Sequence, residues 1–345
     1  MVANKVQTPK WDGKRIRAFM MNNAIYIILL ALIFAIIAIA PDFISIINFR
    51  NILAQASTRV IIALGVGGIL ITGGTDLTAG RLVGLTAVVS SSLLQATDYA
   101  YRMYPDLVRL PIWVPILICA AAGALFGLIN GAAVAVFKVP ALLATLGMMV
   151  IVYGLTSIYF DRPPYGAQPI GGLDTKFMDF AQGYIFEGDF AIPYLVIYAI
   201  IVSAVIWVIW NKTRLGKNMY AIGGNPDAAV VSGVNVTKTL LVIYAMGGAL
   251  YAFAGTLEAA RIGSATNNTG NMYELDAIAA AVVGGVSTSG GIGTVPGIVT
   301  GVLIFQVINY GLTFISVNPY VQYIVKGLII VVAVAIDIRK YIKKK

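Results

Sequence analysis

The chain has 345 residues, of which 59% are apolar and only 11% charged, with a formal net charge of +9 and a mean hydropathy of +0.86. Soluble domains carry roughly 25% charged residues, so the composition excludes an ordinary water-soluble fold and leaves no polar stretch of domain size to read nucleic acid. Histidine is absent and Cys119 is the sole cysteine, which removes His-containing zinc sites, His-based triads and any disulfide within the chain.

A basic segment with Lys5, Lys10, Lys14, Arg15 and Arg17 comes first and is expected to form a cytoplasmic tail over residues 1–23. The apolar run at 24–40 follows it. Basic residues before an apolar run imitate a secretory leader, but this run exceeds the ~7–15 residues of a signal core and Pro41 follows Ala38-Ile39-Ala40. It therefore reads as an uncleaved first span. Runs near the length a bilayer requires, about 20 residues, recur at 52–72, 77–96, 112–136, 141–160, 191–210, 239–258, 274–289, 294–315 and 319–337. The run at 274–289 is short and rich in small residues, and suits either a full span or a half-helix. The chain thus reads as all-α, a polytopic membrane protein with about ten transmembrane helices in a single domain at 24–338, followed by a basic tail at 339–345.

Basic residues are retained on the cytoplasmic side of a membrane. With the N-terminus inside and ten spans, 16 of the 24 Lys and Arg fall on that side, but only 4 of the 15 Asp and Glu. Both termini are expected to be cytoplasmic. The basic excess suits an anionic lipid surface and requires no nucleic acid.

Energy input is not legible in the chain itself. No Gly-x-x-x-x-Gly-Lys-Ser/Thr loop is present, because the glycine-rich run at 284–297 lacks the lysine and Gly216-Lys217 continues with Asn218. Ion coupling relies on ionisable groups deep in the spans, whereas Asp76, Glu258, Glu274, Asp276 and Asp337 stand at predicted span ends. Arg59 and Lys326 fall within predicted spans, where a central charge costs about 2.5–3.5 kcal/mol on insertion scales. Lys326 suits snorkelling, a contact with a neighbouring carbonyl, or a direct role in transport. Glu258 and Arg261 are three residues apart and suit a pair at a helix end. Asp76 and Arg81 bracket a turn, which suits an ion pair, a helix cap or a gate. The 36 glycines cluster at 65–80, 123–131 and 284–301, a pattern that lets membrane helices approach closely. Gly73-Gly74 and Gly290-Gly291 read as bends.

One polar island interrupts the apolar runs, at 211–238. Within it Asn225 can cap a helix, Pro226 suits the first helical position, Asp227 meets the positive helix end and Gly233 can close the other end. One or two turns are expected between Gly224 and Gly233. These features suit an ordinary amphipathic connector as well as a docking knob, although helix connections are usually about 2–8 residues long.

Gly223-Gly224-Asn225-Pro226-Asp227-Ala228-Ala229, followed by Ser232-Gly233-Val234-Asn235-Val236, resembles the signature loop of the sugar permeases of bacterial ATP-binding-cassette importers, the group that includes ribose and xylose permeases. Gly73 to Gly80, Tyr273 to Ala280, Gly290-Gly291-Ile292-Gly293-Thr294 and Gln322 to Gly327 match further family segments in the right order, and the resemblance extends over about 45–338. Thr78 stands where family members often carry serine, which keeps the hydroxyl. Arg261 to Asn268, Val317 to Tyr320, Trp210 to Thr213 and Asn309 to Leu312 are similar to the branch that imports galactose and methyl galactoside.

The resemblance implies a type II importer-like permease fold in a bacterial inner membrane, working as a homodimer. It implies a cytoplasmic ATPase partner and a periplasmic sugar-binding protein. The permease itself is then no enzyme and binds no cofactor or metal, since ATP is used by the partner. Carried onto this sequence, coupling to the ATPase falls on Gly223, Gly224, Asn225, Pro226, Asp227, Ala228, Ala229, Ser232 and Gly233. Asp76, Thr78, Asn309 and Tyr310 become candidates for the gate or translocation path. Asn267 and Asn268 either touch the binding protein or only form a turn. The alternative is a passive channel or ion-coupled carrier in which the basic loop is only an orientation signal.

Overall fold

The computed structural model describes residues 24–162, 166–186, 188 and 191–342. Among these residues, helices follow the predicted apolar runs in chain order: α1 (Ala24–Ile39), α2 (Ile46–Ile71), α3 (Ala79–Leu93), α4 (Trp113–Ala135), α5 (Ala141–Phe160), α6 (Thr175–Gln182) and α7 (Tyr194–Lys212). They continue as α8 (Arg214–Gly224), α9 (Pro226–Val231), α10 (Val236–Ile262), α11 (Tyr273–Val283), α12 (Val295–Phe314) and α13 (Pro319–Ile342). Six of them, α2, α4, α5, α7, α10 and α12, are long and apolar enough to cross a membrane, while α1, α3 and α13 carry shorter apolar stretches. The run at 274–289 becomes the 11-residue α11 and a following turn, about 16 Å of helix against a hydrocarbon layer of about 30 Å. That is the half-helix of the two expected forms.

Burial separates the helices into two layers. The long helix α2 is sheathed by α12, α11, α10 and α7, and from Val60 to Ile71 every side chain is buried. Outside it, α4, α5 and α7 turn Leu117, Leu143, Ile158 and Ile200 outward, a display that suits lipid rather than water. One core cluster extends from Leu29 to Ile329 and joins α1 to α13. One close seam lies between α4 and α10. A Cβ on Gly123 would strike the Gly248 carbonyl, and one on Gly127 the Tyr244 carbonyl. Glycine every fourth residue on α4 therefore lets two backbones touch, as packing between helices in lipid requires.

The connections at one end of the bundle are longer and tied together. Gln95 donates to the Gly171 carbonyl at 2.9 Å and accepts from the Met103 amide at 2.7 Å. Asp174 caps α6 by accepting from the Lys176 amide at 2.9 Å, and pairs with Arg109 at 2.6 Å. Strands β1 (Tyr184–Ile185) and β2 (Ile192–Pro193) form an antiparallel hairpin, Tyr184 opposite Pro193 and Ile185 opposite Ile192. Among the described residues this two-residue hairpin is the departure from an all-α chain, apart from isolated bridges.

The expected tail at 1–23 lies outside the described residues, as do Lys343, Lys344 and Lys345. Of the expected basic tail at 339–345, the described part continues α13 through Arg339 and Lys340 to Ile342.

Candidate functional site

The polar island folds into two short helices. Thr213 caps α8 by accepting from the Gly216 amide at 3.4 Å, and Gly216, Met219 and Ile222 form its buried face. Asn225 then caps α9 by accepting from the Ala228 amide at 3.0 Å, with Pro226 in the first turn. The far end closes as a Schellman motif: Val234 N–H reaches the Ala229 carbonyl at 3.0 Å, Gly233 N–H reaches Val230 at 2.9 Å, and Gly233 has φ +81°. Ser232 adds a bond from its hydroxyl to the Ala228 carbonyl at 2.8 Å. Of the α9 side chains only Ala229 is buried, while Val230 and Val231 are 59% and 89% exposed. The result is a rigid, capped knob with an apolar tip.

The knob is clamped to the bundle through α8. Gly223 sits so close to the end of α2 that a Cβ there would overlap the Ile71 carbonyl and the Gly291 amide. The same Gly291 amide donates to the Ile71 carbonyl at 2.8 Å. Tyr220 donates its hydroxyl to the Gly293 carbonyl at 2.8 Å, and burial pushes its phenol above the ordinary value, so it stays a donor at neutral pH. Gly290 and Gly291, both at positive φ, bring the α11–α12 turn against Gly223, Gly224 and Gly73. Three backbone junctions thereby meet: the end of α2, the end of α8 and the turn after α11.

From Gly73 the chain leads directly to Asp76 and Thr78. Asp76 is 1% exposed, and its Oδ1 accepts from both the amide and the hydroxyl of Thr78. Asn130 of α4 donates to the same hydroxyl at 3.1 Å. Asp76 thereby closes a tight turn just before α3, whose cap residue Thr78 makes no side-chain capping bond. Arg81 turns away instead, donating to Asn271 at 2.7 Å and lying over the Tyr153 ring at 4.3 Å.

Asn309 and Tyr310 form a separate group on α12. Tyr310 donates to Asn48 at 2.9 Å and accepts from Asn51 at 3.2 Å. Asn309 lines a narrow crevice with Arg59, Asp276, Phe305 and Gln306. Asn267 and Asn268 lie in the turn between α10 and α11, where Asn267 donates to Ser157 at 3.4 Å and Asn268 is exposed.

Of the charged groups expected at span ends, Glu258, Glu274 and Asp276 stand near the end of α10 and the start of α11 with their side chains buried. Glu258 is 1% exposed and accepts from Arg261 at 2.8 and 3.1 Å, Thr58 at 3.0 Å and Tyr273 at 2.9 Å. Arg59 lies over the Tyr273 ring at 3.0 Å. Lys326 neither snorkels nor meets a carbonyl; it pairs with Asp276 at 3.0 Å. The pair of Glu258 and Arg261 is the one expected from their spacing; sequence reasoning missed α8, the stacking of Arg59 on Tyr273 and the pairing of Lys326 with Asp276. The apolar spacing of Leu215, Met219 and Ile222 signals the first, but nothing in the sequence pairs Lys326 with a residue 50 positions away.

The chain can now be compared with known proteins. Residues 48–334 match the family model described as the permease component of the branched-chain amino acid transport system. The chain belongs to this permease family. It is 57% identical to the galactose/methyl galactoside import permease protein MglC of Escherichia coli K12, over 97% of this chain and 99% of that one. Identity to the MglC of Haemophilus influenzae is also 57%, over 94% and 96%. The ribose import permease RbsC of Escherichia coli K12 is 36% identical over 94% and 96%. No solved structure matches the chain. The chain is thus a permease component of an ATP-binding-cassette importer, and ATP hydrolysis belongs to a separate subunit.

Proposed function

We propose that this permease carries galactose and methyl galactoside across a bacterial inner membrane, as a homodimer served by a cytoplasmic ATPase and a periplasmic sugar-binding protein. Relatives named for that cargo, 57% identical across nearly the whole length, support the substrate. The chain crosses the membrane with about ten helical segments, α11 being a half-length one, and keeps both termini in the cytoplasm. ATP is bound by the partner and not by this chain.

The observation that carries the mechanism is the α9 knob and its clamp. An apolar tip of Val230 and Val231, projecting from a capped helix, fits a groove on a soluble partner. Asn225 to Ala229, Ser232 and Gly233 build that contact, while Tyr220 and Gly223, with Gly224 next to them, couple its movement to the ends of α2 and α11. ATP binding then shifts the gate between two states to the extent that the partner favours one of them. Asp76 and Thr78 fix the turn at which α2 passes into α3, while Asn309 and Tyr310 face the cargo. Asn268 is available to the binding protein.

Co-purification tests this reading. The ATPase should be recovered with the tagged permease, and should be lost when residues 225–233 are replaced by a flexible linker of equal length. Retention of the ATPase by that variant would place the contact elsewhere.

A further inference from the structure

Hydrogen-bonding side chains recur along one face of α2. Asn48, Asn51, Gln55 and Arg59 follow each other at three or four residues, the spacing that keeps side chains on one side of a helix. They meet a matching row on α12: Tyr310 with Asn48 and Asn51, then Gln306, whose amide donates to Gln55 at 2.9 Å. The row begins where Asn48 donates to the carbonyls of Asp42 and Phe43, in the turn between α1 and α2. It ends about 16 Å further along α2, at Arg59 and the crevice lined by Asp276, Gln306 and Asn309. The opposite end of α2, at Ile71, meets the clamp beneath the knob. The row therefore enters the bundle from the end away from α8 and α9 and stops part-way through.

Such a row is costly in lipid unless it has a use. Polar residues inside a membrane bundle are expensive and normally mark a path. Apolar side chains would join α2 to α12 equally well. At the inner end of the row one guanidinium nitrogen of Arg59, Nη1, is buried and has no hydrogen-bond partner among the described residues. The crevice beside it is lined by a carboxylate, a guanidinium and two carboxamides together with the Phe305 ring and Val302. These are donors and acceptors for adjacent hydroxyls together with an apolar wall for a C–H face. A branched-chain amino acid offers an apolar side chain and two opposite charges, and would leave the amides unpaired. A neutral pyranose matches the set.

We propose that the α2–α12 polar row is the transit site for a neutral hexose, with Arg59, Asp276, Gln306 and Asn309 as its inner station. The bonds between the two helices exchange for bonds to sugar hydroxyls as the helices part, and Lys326 holds Asp276 when the station is empty. The row is consumed by its own bonds in the closed form, so the affinity for sugar is low. This deepens the proposed function and rests on it for the identity of the sugar.

The test uses the full permease reconstituted in vesicles with its ATPase and sugar-binding protein. Gln55→Leu with Gln306→Leu replaces both partners of one bond, so neither amide is left unpaired. Galactose uptake should fall at least about tenfold in assembled complex; uptake within about twofold of the parent would overturn the proposal. A second variant guards against misfolding. Asn309→Cys in a Cys119→Ala background should react with a membrane-impermeant thiosulfonate during turnover, and high galactose should slow that reaction. Labelling by permeant reagents alone, or no protection by any transported solute, would overturn the proposal. If the parent complex imports a different solute and that solute protects the cysteine, the proposed function fails while the path stands.

Discussion

Two adjacent glycines make the sharpest test of the clamp. A Cβ at Gly223 would overlap the Ile71 carbonyl and the Gly291 amide, whereas one at Gly224 meets nothing within 4 Å. Gly223→Ala must therefore push α8 away from the end of α2 by roughly 1.5–2 Å to restore ordinary contact distances. Overpacking of this kind costs about 1–3 kcal/mol. Disturbing the bond of 2.8 Å from Gly291 to Ile71 adds about 1–3 kcal/mol if the buried amide loses its acceptor. The sum, about 2–6 kcal/mol, is at least comparable with the ~1–3 kcal/mol over which coupling between sites normally operates. The knob itself is untouched, because its caps lie at Thr213, Asn225 and Gly233. In reconstituted vesicles, Gly223→Ala should keep the ATPase bound but import much less sugar per ATP hydrolysed, and Gly224→Ala should behave like the parent. Equal stoichiometry in both variants would refute the clamp as the route of coupling.

Other consequences follow from single contacts. Asn225→Ala removes the acceptor for the Ala228 amide and costs about 1 kcal/mol; titration of the ATPase onto the permease in nanodiscs should show an affinity about fivefold weaker. Glu258→Ala leaves the half-buried Arg261 without its carboxylate, a change that costs at most about 3–5 kcal/mol. Its melting temperature in detergent should fall below that of the double variant Glu258→Met with Arg261→Met, and the reverse order would count against a buried pair. Burial pushes the Asp174 carboxyl up, but bonds to Arg109 and the Lys176 amide, with the charges of Arg109 and Lys176, outweigh it and hold the group below its ordinary 3.8. The stabilisation of the α6 segment is thus complete above about 3.8 and is lost as pH falls through the lower folded value. Amide exchange in α6 should quicken over that acid range, and Arg109→Ala should reduce the dependence on pH.

Much of this architecture is legible in the chain because lipid imposes a simple rule: apolar runs of sufficient length become helices. The caps of α9 were equally readable, since Asn225, Pro226 and Gly233 are each suited to one helical position. Family membership followed from the same loop, and the relatives agree with it. Contacts between distant segments were not readable. The α8 helix was hidden because Gly216, Gly223 and Gly224, three of its 11 residues, are poor helix formers. The polar row on α2 was cut by the expected start of the run at 52, which excluded Asn48 and Asn51. Glu258 and Asp276 looked like surface charges at span ends, because sequence position does not reveal that their side chains are buried against other helices.

The central claim is that this chain is a gate moved from outside itself through α8 and α9. Sugar uptake into vesicles containing the permease, with the ATPase and binding protein added or withheld, measures it most directly. Uptake should require both partners and ATP, and should persist when the proton gradient is collapsed. Accumulation of sugar by the permease alone, or its loss on collapse of the gradient, would contradict the account and point to an ion-coupled carrier built on the buried carboxylates.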